Sequence, residues 1–162
     1  MIDLDITELF EEIVKKELPE GLEILYPNGK GGTKVVKSPR LNYIFGSSQY
    51  IKDILDEYSK SSAQSERKFP LVALFTPISE DRGDADYFSK AKVSLIIACS
   101  SCKEWSNEMR RTTSFKNILR PIYKRLLEVL YEDSRFDCDY DEKVKHSYSE
   151  NYSYGRYGEH LD

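Results

Sequence analysis

Histidine is nearly absent from this chain: His146 and His160 are the only two in 162 residues. Both stand near the C-terminal end, in a stretch with few aliphatic residues. A Ser-His or Cys-His pair therefore has no imidazole that a core would hold in place. Cysteine is scarce as well, with Cys99, Cys102 and Cys138 only, so a disulfide framework is not expected. Cys99 and Cys102 form a C-x-x-C pair that could serve redox chemistry or half of a zinc site. A redox pair belongs at the mouth of a helix, where the dipole lowers a thiol pKa. The segment that follows, KEWSNEMRR, has only a weak helical pattern. A zinc site needs a second ligand pair, which Cys138 with either histidine does not make. Cys99 alternates with Ile97 along a strand and reads as a small core residue. Neither a metal nor another cofactor is expected, and no residue is assigned a catalytic role.

Long apolar runs are also missing, and none approaches the ~20 residues that cross a bilayer. The first eighteen residues, MIDLDITELFEEIVKKEL, carry acids at helical spacing in place of a basic patch and an apolar plug. That pattern is not a signal peptide, and a reducing cytosol is the expected place of synthesis. An excess of positive charge is absent too: 24 basic against 28 acidic residues leave a net charge of −4. Broad electrostatic binding to nucleic acid finds no support in that balance.

What is present reads as one ordinary domain followed by an arm. Ile2, Ile6, Leu9, Phe10, Ile13 and Val14 share one face of a first helix that Pro19 stops. Short strands are expected at 22–26 and 33–37, around a turn whose NGKGGTK faintly resembles a phosphate loop. Lys30 is followed by Gly31, not by Ser or Thr at a helix mouth, so a hairpin turn is the preferred reading. A second helix spans Ser48–Tyr58, capped by Ser47 or Ser48. After a polar spacer come two apolar runs, FPLVALF and KVSLIIACSS, which read as strands. The charged stretch between them suggests a β-hairpin with a long exposed tip. A polar bridge, SNEMRRTTS, precedes a short turn from Phe115 and a main helix from Arg120, with Pro121 in its first turn.

The expected fold class is α+β: an antiparallel sheet with a long central β-hairpin, packed on one face by two or three helices. Residues 1–136 form the domain. Residues 137–162 form an acidic arm holding Tyr140, Tyr148, Tyr152, Tyr154 and Tyr157. Such a stretch cannot build a core by itself, and its tyrosines suit an interface. The acids of the tip, Glu80, Asp81, Asp84 and Asp86, are interrupted by Arg82. They match neither the spacing of a calcium loop nor carboxylates gathered from several core elements. A solvated tip, or a contact with another chain, is the expected role.

In its FPLVALF strand, charged tip, KVSLIIACSS strand and ILRPIYKRLLEVL helix, the chain resembles the tail-terminator and neck proteins of long-tailed bacteriophages. The first helix also fits that family. The segment 20–58 is longer than its counterpart there, and an apolar final strand is lacking. The resemblance implies a structural, non-enzymatic virion protein, made in the host cytoplasm. It would form a ring, usually of six copies, that caps the tail tube or joins head to tail. Its partners would be copies of itself and the neighbouring tail-tube and head-connector proteins, with no membrane and no sequence-specific nucleic acid. Glu80, Asp81, Arg82, Asp84, Asp86, Tyr148, Tyr152, Tyr154 and Tyr157 are then the expected subunit contacts. Two other readings stand beside it: a metal-dependent nuclease using Asp81, Asp84 and Asp86, and a monomeric adaptor that binds a partner through its tyrosine-rich arm.

Overall fold

A computed structural model describes residues 5–81, 90–102, 104–136 and 146–152. Helix α1 (Ile6–Glu12) opens on a reciprocal cap. The Asp5 carboxylate accepts from the Glu8 amide at 2.9 Å, and the Glu8 carboxylate accepts from the Asp5 amide at 3.1 Å. Two otherwise orphaned donors are satisfied in this way. The helix continues through a wider π turn, Ile13–Glu17, before Pro19 ends it. Strands β1 (Glu23–Pro27) and β2 (Thr33–Lys37) then pair antiparallel. In their turn the Asn28 side-chain oxygen accepts from the amides of Lys30 at 2.8 Å and Gly32 at 3.1 Å. Gly29 and Gly31 supply the left-handed backbone that the turn requires. Those amides are occupied internally, so NGKGGTK is a hairpin turn.

The central sheet is built from strands β3 (Asn42–Gly46), β4 (Leu71–Phe75) and β7 (Leu95–Ala98), in that order. Strands β4 and β7 form the expected antiparallel hairpin, with Leu71 opposite Ala98 and Leu74 opposite Leu95. Strand β3, which the sequence did not mark, lies parallel to β4, with Asn42 opposite Leu71. Parallel neighbours need a crossover. Helix α2 (Ser48–Tyr58) and the short helix α3 (Ser62–Ser65) make it. The Ser47 hydroxyl caps α2 by accepting from the Tyr50 amide at 3.1 Å. Gly46 adopts φ +149°, and a Cβ there would lie 2.6 Å from the Tyr50 ring, which leaves room only for glycine.

The α+β class stands, but the expected antiparallel sheet covered on one face is corrected in two respects: parallel β3 makes the sheet mixed, and the crossover through α2 places a helix on the second face. Val72 and Leu74 of β4 enter the larger core with Phe10, Val14, Phe115 and Ile122. Leu71 and Ala73 point the other way, against Ile51 and Leu55 of α2. A strand buried on both sides reads as a continuous apolar run, which is how FPLVALF reads. Beyond β4 and β7 the hairpin continues as β5 (Ser79–Asp81) and β6 (Lys90–Lys92).

The last helical segment starts earlier than the sequence suggested. It comprises α4 (Asn107–Met109), a π-helical stretch Arg110–Leu119, and α5 (Arg120–Glu132). The expected polar bridge is thus its first turns, capped by the Ser106 hydroxyl, which accepts from the Met109 amide at 3.2 Å. In a regular α-helix the Pro121 ring would collide with the carbonyl four residues back. The wider turn just ahead of it, where the Arg120 amide bonds to the Phe115 carbonyl, relieves that collision.

Candidate interaction surface

Every residue of β5 and β6 is exposed, Glu80 and Asp81 included. Asp81 stands opposite Lys90 and Glu80 opposite Ala91. The hairpin leaves the core after Ile78, which still packs on it with Val93, and carries its acids into solvent. Arg82, Asp84 and Asp86 lie outside the described residues. Among the described residues no three His, Cys, Asp or Glu side chains gather as metal ligands would. No described helix is long and apolar enough to cross a membrane.

The arm has a defined seat for residues 146–152. Tyr152 lies on Phe115, with ring centroids 4.4 Å apart, and Tyr148 lies on Tyr123 at 4.5 Å. Between them Glu150 accepts from Arg120 at 2.9 and 3.0 Å, one carboxylate oxygen for each guanidinium nitrogen. The Tyr148 hydroxyl donates to the same carboxylate at 2.9 Å, and Tyr123 shares a hydrogen bond with the His146 ring. Tyr148 and Tyr152 are therefore held on their own chain, although Tyr148 remains half exposed. Tyr154 and Tyr157 lie outside the described residues.

Hydrogen bonding from Arg120 holds the Glu150 carboxyl below the usual glutamate range, against the opposing effect of burial. A group more acidic when folded contributes fully above its unfolded pKa, and that contribution fades as pH falls through the folded value. Acidification should therefore loosen the arm before the core unfolds. NMR signals of Tyr148 and Tyr152 should move toward those of an unstructured peptide as pH falls below the ordinary glutamate range. Tyr152→Ala should cost about 1–2 kcal/mol in urea unfolding, because it uncovers Phe115 and removes a stacked pair. A variant as stable as the parent would show that the seat adds nothing to the fold.

The end of α5 is tied to α1. Arg135 donates to Asp133 at 2.9 Å, to Glu12 at 3.3 Å and to Glu17 at 3.0 Å. Its hydrogen bonding keeps the Asp133 carboxyl below the usual aspartate range, while burial pushes Glu17 up. Phe136 packs edge-on against Phe10 at 6.0 Å.

Cys99 is fully buried in the main core and Cys102 is exposed. The polar feature of this segment is a residue the sequence did not single out. Arg110, 3% exposed, donates to the Ser101 hydroxyl at 2.7 Å and to the Cys102 carbonyl at 2.9 Å. It fastens the exit of β7 to the first turns of the last helix. One of two adjacent arginines in a polar stretch gives no periodic signal, so only the packing reveals which of them is buried.

No family model matches the chain, and neither a curated protein nor a solved structure shows a significant match.

Proposed function

We propose that this chain is a structural, ring-forming protein of a phage or prophage virion that caps the tail tube or joins head to tail. The observation that carries the reading is the hairpin that starts in the core as β4 and β7 and continues outward as fully exposed β5 and β6. A rigid base with an acid-bearing extension suits a head-to-tail contact, which closes into a ring when repeated around an axis. The partners are further copies of the chain, then the tail-tube and head-connector proteins on either side. Glu80 and Asp81 belong to the contact, together with the tip residues Arg82, Asp84 and Asp86. The half-exposed Tyr148, with Tyr154 and Tyr157, supplies a second contact from the arm. The protein acts in the virion after synthesis in the host cytoplasm, without chemistry of its own.

Sedimentation and electron microscopy of the purified protein should show closed rings in equilibrium with monomer. Reversing Glu80 and Asp81 to lysine should weaken ring formation by about tenfold or more, since like charges then face the neighbouring subunit. The monomer should stay folded and lose up to about 1 kcal/mol, because the reversed charge at position 81 then stands opposite Lys90. A protein that stays monomeric at every concentration would sink the ring reading and leave the adaptor. Divalent-metal-dependent nuclease activity, lost on Asp81→Asn, would replace it with an enzyme.

A further inference from the structure

A polar cavity of about 360 Å³ lies apart from both the hairpin and the arm seat. Five pieces of chain converge on it. Lys15 comes from the π turn that ends the first helix, Arg40 and Asn42 from the approach to β3, Tyr58 from the end of α2, Gln64 from α3, and Arg67 from the lead into β4. Its lining holds three cationic side chains and no carboxylate. Lys15 shares a surface ion pair with Glu11 at 2.9 Å. Arg40 and Arg67 make no ion pair among the described residues. In a chain with a net charge of −4 this concentration of positive charge does not follow from composition.

The walls are fixed before any ligand arrives. The Asn42 side-chain amide donates to the Lys68 carbonyl at 3.1 Å, and the Asn42 backbone amide to the Pro70 carbonyl at 2.8 Å. The Ser65 hydroxyl donates to the Tyr58 carbonyl at 3.2 Å, and the buried Lys68 ammonium donates to Ser59. Both arginine forks stand on this frame with donors to spare. Concave walls concentrate their field, and a bound anion relieves the repulsion between them. The planar guanidinium fork presents paired donors that match two oxygens of a tetrahedral phosphoryl group, and two forks can share its three terminal oxygens.

We propose that this cavity binds the phosphate monoester of a small molecule, with Arg40, Arg67 and Lys15 on the phosphoryl oxygens. A monoester carries close to two negative charges at neutral pH, which matches three cations better than a diester or a single carboxylate does. The cavity volume falls in the range of small-molecule sites. Gln64 offers a neutral donor to the body of the ligand, and Tyr58 completes the wall. The site stands whether or not the chain forms rings.

Titration calorimetry with ribose 5-phosphate, inorganic phosphate and ribose tests the proposal. Ribose 5-phosphate should bind, inorganic phosphate should compete with it, and ribose should not bind. The Arg40→Ala, Arg67→Ala double variant should weaken binding by about tenfold or more. Both side chains are exposed, so its thermal midpoint without ligand should match the parent's. Amide shifts in the parent supply a second readout, with the largest changes expected at Asn42 and Gln64. Unchanged affinity in the double variant, shifts that avoid the cavity, or no binding of ribose 5-phosphate would each overturn the proposal. Arginine-dependent binding of a single-stranded oligonucleotide without binding of the sugar phosphate would overturn it as well.

Discussion

Leu55→Ala should lower the free energy of unfolding by about 3 kcal/mol, within the 2–5 kcal/mol typical of a buried leucine. Leu55 has no exposed surface, and it packs from α2 onto the sheet face that carries Ile44, Leu71 and Ala73. Among the described residues that cluster has six buried members, with a rim of partly buried ones, and close-packed neighbours can only partly fill the space the side chain leaves. The measurement is urea unfolding followed by circular dichroism, with an unchanged slope as evidence that the same two states are compared. A domain of this size is stable by about 5–15 kcal/mol, so the loss is a large fraction of the whole. The experiment separates two architectures. Helices on one face only would leave Leu55 at the periphery, and its truncation would cost less than about 1 kcal/mol.

The second large effect belongs to Arg110. Replacing it with methionine keeps much of the buried stem and removes the guanidinium. The Ser101 hydroxyl and the Cys102 carbonyl then each lose a charge-assisted donor. Hydrogen bonds to charged groups contribute about 1.5–3 kcal/mol each, so a net destabilisation of about 2–4 kcal/mol is expected. Arg110→Lys should recover little of this, because one ammonium cannot reproduce a fork that serves two acceptors. Chemical denaturation of both variants, beside a Cys102→Ser control at the exposed thiol, checks the claim. A methionine variant as stable as the parent would mean that the guanidinium adds no net stability there, as some buried charges do not.

The base of the hairpin is held by two buried clusters, one on each side of β4. The arm seat, in contrast, rests on two stacked aromatic pairs and one bidentate ion pair at the surface. Such contacts are individually modest. An arm held in this way can leave its seat at small cost if a neighbouring subunit offers a better one.

The amphipathic first helix, the β1–β2 hairpin, α2 and the central hairpin were all legible in the sequence. Each declares itself by local means: a period of 3.6 with a cap, a turn rich in glycine and asparagine, or an apolar run bounded by proline. The two-sided burial of β4 was implicit in its unbroken apolar run, although the run alone does not say what covers the second face. Strand β3 escaped because its LNYIFG is short and its partner lies about thirty residues on, across a helix. Parallel pairing leaves no turn signature in the sequence. The helical start at Asn107–Met109 escaped because its buried anchor is Arg110, a polar residue where an apolar stripe would have marked the buried side. The hairpin acids and arm tyrosines could be listed from composition, but not the partners they meet. Glu150 finds Arg120 thirty residues away, and Arg40 meets Lys15 and Arg67 around one cavity. Local patterns thus determined the elements and the hydrophobic faces. Tertiary packing alone decided which charges are paired, which are left open, and where the arm comes to rest, because those energies depend on distances between residues far apart in the chain.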